Sequence, residues 1–303
     1  MTDIQSSNTI KAKEAGAHST RKAPKGKGKN PFVVSISSGK GGVGKTLTTV
    51  NLAIAARRMG KSPIILDGDL GLSNVDVVLG LQARYNISDV LNGHVSMKEI
   101  IIDGPMGIRL IPSGSGISSL AQLSYVQRQY ILDEIESLDA QTDLLLIDTG
   151  AGIVPNVLHL NAAADKIVVV TTPEPHAMTD AYALIKVLAE EYDRKQFSLL
   201  VNLVRLPEEG IKVATRIADV AKKFLGAEVD YLGHVPMDPQ MQQSIMRRKA
   251  ASEFSTFTIA GQAWNDAARK LFSRSETERS GDRNFWEHLL VDADSDGLFE
   301  RNI

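Results

Sequence analysis

Val33-Val34-Ser35-Ile36-Ser37-Ser38-Gly39-Lys40-Gly41-Gly42-Val43-Gly44-Lys45-Thr46 is the stretch whose reading decides the fold. Its first half is a β-branched run, the pattern of a buried strand. The run breaks into Gly39, Gly41, Gly42 and Gly44, then Lys45-Thr46, and residues Leu47 to Met59 follow with a helical pattern. Strand, glycine loop and helix form the context in which G-x-x-x-x-G-K-[ST] holds phosphate, and Gly39 to Thr46 fits that spacing. Residues without a Cβ let successive backbone N–H groups converge on one anion. The helix start adds free N–H groups and a favourable dipole, with Val43 and Leu47 completing the phosphate-binding stretch. Lys45 is placed for the β- and γ-phosphates and the Thr46 hydroxyl for Mg²⁺. Lys40 adds a second cation, more charge than one triphosphate site needs.

Outward from this loop, strand-like runs recur at 32–37, 63–67, 108–112, 143–148, 166–172, 197–203 and 229–233. Helix-like stretches lie near 46–59, 124–138, 178–192 and 211–225. The alternation predicts an α/β fold: a mostly parallel twisted sheet flanked by helices on both faces. The pattern stops near Pro236. Asp238–Lys249 and Thr256–Phe272 read as helices, with Trp264, Ala267, Ala268, Leu271 and Phe272 on one apolar face. Three parts follow. Residues 1–30 form a disordered basic tail with seven Lys/Arg against two acids. Residues 31–273 form the α/β domain. Residues 274–303 form an acidic tail, eight Asp/Glu against four Arg, with a short apolar helix around Phe285, Trp286, Leu289, Leu290 and Val291. The basic tail is either a solvated leader or a docking arm for an acidic partner, nucleic acid or membrane.

Composition narrows the chemistry. The 303 residues carry a net charge of −2 and are 43% hydrophobic, so the whole chain has no pull toward nucleic acid, and direct nucleic-acid binding is not expected of it. Cysteine is absent, which excludes disulfides, Cys-based zinc sites and Cys-held iron–sulfur clusters. No apolar run reaches the length of a membrane span, and no apolar segment follows the N-terminal charges, so the expected compartment is the cytoplasm. The six histidines are scattered without ligand spacing. Asp292-Ala-Asp294-Ser-Asp296-Gly297 imitates half of an EF-hand loop, but Ile303 stands where the bidentate Glu belongs.

Downstream, Ile64-Ile65-Leu66-Asp67-Gly68-Asp69 ends a strand in two acids that share one face. Carboxylates at that end sit where open α/β sheets bind ligands. One can reach a metal shell while the other faces the γ-phosphate. Asp143-Leu144-Leu145-Leu146-Ile147-Asp148 is a second buried strand ending in an acid, suited to hold a Mg²⁺-bound water through Asp148. Gly150 and Gly152 follow, placed to let the backbone swing with the γ-phosphate. The guanine-reading tetrad [NT]-K-x-D does not follow the sixth strand, where Val201-Asn202-Leu203-Val204-Arg205 stands instead.

Lys40-Gly-Gly-Val-Gly-Lys45-Thr46 resembles the deviant Walker A loop of the MinD/ParA ATPases. The resemblance implies that Lys40 crosses a dimer interface to touch the partner's nucleotide. Asp67 to Asn74 is similar to that family's switch I, D-x-D-x-G-x-x-N, which implies that Asp69 orients the attacking water, that Asp67 supports Mg²⁺ through water and that Asn74 moves with the switch. Asp148-Thr149-Gly150-Ala151-Gly152 matches its switch II, D-x-x-A-G. The resemblance further implies that Asn202, Arg205, Pro236 and Asp238 frame an adenine, so the nucleotide is ATP.

Within the family, three stretches are similar to the FlhG/FleN group, MinD-like ATPases that set flagellar number: Asp69–Leu81, Asn86–Gly93 with Ile111–Gly116, and above all Thr172-Pro-Glu-Pro-His-Ala-Met-Thr-Asp-Ala-Tyr-Ala-Leu-Ile-Lys186. The resemblance implies an ATP-dependent homodimer, slow hydrolysis, and binding of a σ54-class flagellar transcriptional activator, of the FlhF GTPase, or of both. It also implies reversible contact with the inner face of the membrane. The Asp-Gln-Ala-x-x-Leu-Arg element that stimulates FlhF is missing from residues 1–30, and the acidic end opposes anionic lipid. A ParA-like DNA-segregation ATPase, a MinD-like division-site regulator and a non-catalytic scaffold ordered by ATP are the other readings.

Overall fold

Strand β1 (Phe32–Ser38) is buried along its whole length because both faces are covered. Period-two alternation sends Val34 and Ile36 to one apolar cluster and Val33 to another. The computed structural model describes residues 31–69, 75–112, 142–241 and 258–273, with Tyr130, Glu134, Phe285 and Leu289. The expected tail 1–30, Asn74, most of the helices at 124–138 and 238–249 and nearly all of 274–303 lie outside the described residues.

After β1 come α1 (Lys45–Arg58), β2 (Pro63–Gly68), α2 (Val75–Leu79), α3 (Ile87–Leu91), α4 (Met97–Ile100), β3 (Ile102–Asp103) and β4 (Arg109–Ile111). Then follow β5 (Leu144–Ala151), α5 (Pro155–Ala163), β6 (Lys166–Thr171), α6 (Pro175–Glu191), β7 (Gln196–Val204), α7 (Pro207–Leu225), β8 (Glu228–Pro236) and α8 (Ile259–Ser273). The eight strands lie in the order β3-β4-β2-β5-β1-β6-β7-β8. Only the β3–β4 edge pair is antiparallel among them. The α/β sheet expected from the alternation is the fold observed.

Helices α1 and α8 cover one face, where Trp264, Ala267, Ala268, Leu271 and Phe272 join β1 and α1 in one cluster. Helices α5, α6 and α7 cover the other. Phe285 and Leu289, four residues apart, pack into the cluster formed by Ile87, Val90, Met97 and Ile100.

Two helices start earlier than their periodicity suggested. Pro175 and Pro207 each stand in the first turn, where a missing N–H costs nothing and φ is already helical. Strand β5 runs past Asp148 to Ala151 because Ala151 pairs with Ser38 after a register shift.

Candidate functional site

The P-loop joins the C-terminal end of the central strand β1 to α1. Gly44 precedes that helix at φ 88°, and no side chain caps the free N–H groups of the first turn, which also holds no acid. That is an anion site made by backbone alone. The loop is tight. A Cβ on Gly39 would stand 2.0 Å from the Asp180 carbonyl oxygen in α6, and one on Gly44 would stand 2.2 Å from the Asn202 amide nitrogen. Gly42 takes φ 80°, while Gly41 faces open space. Val43 is buried in the core beneath the loop, and Leu47 packs partly buried against the same cluster.

Beside the loop, Lys45 Nζ lies 3.4 Å from Asp148 Oδ1, with only 8% of the lysine exposed. The Thr49 hydroxyl donates to the same oxygen at 3.2 Å. Burial pushes the Asp148 carboxyl up from the ordinary aspartate range, while Lys45 and the hydroxyls of Thr46 and Thr49 pull it back. Asp148 Oδ2 is buried and has no hydrogen-bond partner among the described residues. Asp67 is its register neighbour on β2, fully buried, and accepts the Asp69 N–H at 3.2 Å. Two buried carboxylates, one of them with an orphaned oxygen, and the Thr46 hydroxyl suit a hydrated Mg²⁺ ion, which keeps several of its waters. Asp69 is half-buried at the rim. Its carboxylate stands 3.8 Å from where a Cβ on Gly150 would sit, so it faces the glycines that follow Asp148.

Lys40 has its ionic partner outside the loop. Its ammonium meets Glu174, the residue just before α6. Asn202 donates its amide to the Val43 carbonyl at 2.8 Å and accepts the Leu203 N–H at 2.9 Å. Asp238 accepts the N–H groups of Gln240 and Ala260. Both side chains are therefore held by bonds within the chain. Arg205 is exposed and its N–H donates to Glu209, and Pro236 closes β8 beside it. Gly152 takes φ 92°. The structure thus gathers the loop, Asp67, Asp69, Asp148, Gly150 and Gly152 around one cleft.

Sequence reasoning missed Glu174 and Thr49. Thr49 follows Thr46 by three residues in α1, so helical spacing already put it on the Asp148 side. Glu174 lay in a turn read only for its family likeness.

Fold and loop define a P-loop nucleotide-binding protein with a surplus lysine in the loop. The ParA family profile, described as NUBPL iron-transfer P-loop NTPase, matches residues 30–272. The antiactivator FleN of Pseudomonas aeruginosa is 35% identical over 80% of this chain and 86% of its own length. The flagellum site-determining protein YlxH of Helicobacter pylori is 33% identical over 87% of this chain and 91% of its own. The solved structure of the MinD cell division protein of Aquifex aeolicus superposes with a TM-score of 0.62 at 29% identity, covering 80% of this chain and 97% of that one.

The chain belongs to the ParA/MinD family of P-loop NTPases, a family of ATPases. The iron-transfer label of the family profile does not extend to a Cys-held cluster here, because the sequence has no cysteine. Among the described residues no helix is long and apolar enough to cross a membrane.

Proposed function

We propose that this protein is a slow Mg²⁺-dependent ATPase whose ATP-bound homodimer regulates flagellar number or placement. The observation that carries the reading is Lys40: a loop cation, 42% of its side chain exposed, whose ammonium pairs with Glu174 outside the loop. A second subunit facing the cleft would give it a phosphate to meet, and a two-fold dimer would place both lysines alike. The loop N–H groups and Lys45 hold the triphosphate. Asp69 orients water toward the γ-phosphate. Thr46 directly, and Asp67 and Asp148 through water, would hold Mg²⁺, which supplies charge neutralisation on the phosphate oxygens. Arg205, Pro236 and Asp238 form the wall against the adenine, and Asn202 braces the phosphate loop beside it through the Val43 carbonyl. The FleN and YlxH relatives support the flagellar role. A σ54-class flagellar activator, with FlhF as the further candidate, is the partner that this reading assigns to the ATP-bound surface. Membrane contact through Phe285 would first require its release from the chain's own core, where it is buried.

Light scattering and phosphate release test the reading together. The wild type dimerises with ATP and turns it over slowly. Lys40→Ala stays monomeric, and Asp69→Ala dimerises without turnover. A Lys40→Ala protein that still dimerises refutes the cross-interface role, and unchanged turnover in Asp69→Ala refutes the water-orienting one.

A further inference from the structure

Strand β5 carries one residue more than β1 immediately after Asp148. Ile36 pairs with Asp148 but Ser38 pairs with Ala151, so Thr149 and Gly150 together face Ser37. A bulge of this kind breaks the ladder locally and bends the strand, often beside an active site. Here buried side chains staple it. Ser35 Oγ donates to Asn161 Oδ1 at 2.8 Å. Asn161 Nδ2 donates to Ser37 Oγ at 2.9 Å and to the Val157 carbonyl at 2.6 Å. Ser37 Oγ lies 2.8 Å from Thr149 Oγ1. All four side chains have no exposed surface.

Proton counting sets the direction of this chain. A hydroxyl carries one proton and an amide nitrogen two. Both Asn161 protons are engaged, one of them on Ser37; among the described residues the acceptor within reach of the Ser37 proton is Thr149 Oγ1, so Ser37 gives its own proton to Thr149. That leaves the Thr149 proton for one of two backbone acceptors: the Gly150 carbonyl at 2.9 Å or the Ile36 carbonyl at 3.1 Å. Gly150 is buried, so its carbonyl depends on a partner inside the fold. Beyond the β1–β5 ladder, the Gly152 N–H donates to the Ser38 carbonyl at 2.8 Å.

We propose that Thr149 is the positioning residue of this segment, its hydroxyl latching the Gly150 carbonyl in the ligand-free bulge and passing to the Ile36 carbonyl when that peptide turns. Two acceptors within reach of one hydroxyl let the carbonyl leave without stranding the buried Thr149 donor. Thr149 touches no nucleotide itself. It acts on the Gly150 peptide, which faces Asp69. The inference deepens the ATPase reading and rests on it for the purpose of the movement, while the latch itself is a property of the ligand-free chain.

Hydrogen exchange on the ligand-free protein tests the latch. Thr149→Val keeps the shape and removes the hydroxyl; Thr149→Ser keeps the hydroxyl. In Thr149→Val the peptide covering 150–154, which contains the Gly152 amide, exchanges about five- to tenfold faster, the scale of one lost hydrogen bond. Thr149→Ser matches the wild type, and strand β7 exchanges alike in all three. With nucleotide, Thr149→Val raises affinity for a non-hydrolysable ATP analogue relative to ADP several-fold, because only the latched conformation is weakened. Unchanged exchange in Thr149→Val, a Thr149→Ser protein as fast as Thr149→Val, or equal acceleration throughout β7 each overturns the proposal. A wild type that binds no nucleotide would defeat the ATPase reading, and the exchange data would still decide the latch.

Discussion

The Lys40 ammonium and the Glu174 carboxylate stand 3.1 Å apart across 134 residues of sequence, with 42% and 67% of the two side chains exposed. Glu174 precedes the first turn of α6, whose free N–H groups also favour the carboxylate there. The pair therefore ties the surplus lysine to the start of α6. Exposed pairs are worth about 0.2–1 kcal/mol. Glu174→Gln should leave thermal stability nearly unchanged and free Lys40 for a facing subunit. In a dilution series followed by light scattering, ATP-dependent dimers should persist to about two- to fivefold lower protein concentration. A variant that needs more protein than the wild type would show that Glu174 serves the dimer instead.

Gly39 and Gly41 belong to the same motif, yet the structure separates them. A Cβ at Gly39 would collide with the Asp180 carbonyl in α6, and backbone cannot step aside as a flexible side chain can. Overpacking of that kind costs about 1–3 kcal/mol or more. Gly41 has open space within 4 Å. Ligand-free thermal unfolding should therefore show Gly39→Ala clearly destabilised and Gly41→Ala close to wild type. Equal losses would mean that the loop and α6 are not in this contact.

That contrast also marks what the sequence makes legible. A P-loop is a local device: the glycines, Lys45 and Thr46 are consecutive, and the strand before them and the helix after them are read from the same residues. Asp67, Asp69 and Asp148 end apolar runs, so their place at the C-terminal rim follows once the runs are strands of one parallel sheet. What spacing could not show depends on distant parts of the chain meeting. Glu174 gains meaning only because α6 starts beside the loop. Asn202 reads as a polar strand end until its amide is found on the Val43 carbonyl. The bulge at Thr149-Gly150 is a register shift between β1 and β5, and no property of either strand alone announces it. Helices α6 and α7 start three and four residues before their apolar periodicity because Pro175 and Pro207 fit the first turn, which periodicity does not register.

Asn202 offers a test of loop support against base reading. Its Nδ2 donates to Val43 and its Oδ1 accepts from Leu203, so both ends of the amide are occupied inside the chain. Asn202→Ala removes a brace under the phosphate loop. Loss of one such bond is worth about 0.5–1.5 kcal/mol. Affinity for ATP and for GTP should fall by the same factor, about three- to tenfold, in a competition assay against a fluorescent nucleotide. A loss confined to ATP would assign Asn202 to the adenine directly.

Asp148 links nucleotide binding to pH. Burial raises its carboxyl above the ordinary aspartate value, with Lys45 and the neighbouring hydroxyls opposing. A raised folded-state pKa means that the group's contribution to ligand-free stability is fully present below the unfolded value, about 3.9, and is lost as pH rises through the folded value. Burial thus disfavours the ionised carboxylate in the ligand-free fold, and a bound cation opposes that preference. Acidification should therefore erode the Mg²⁺-dependent gain in melting temperature with nucleotide, beginning above the range where exposed carboxylates titrate. Asp148→Asn has no such proton to take up. It should show a small Mg²⁺-dependent gain at every pH, and subtracting its profile removes the titration of the nucleotide phosphates. A wild-type profile parallel to that of Asp148→Asn down to pH 4 would show that Asp148 does not hold the hydrated cation.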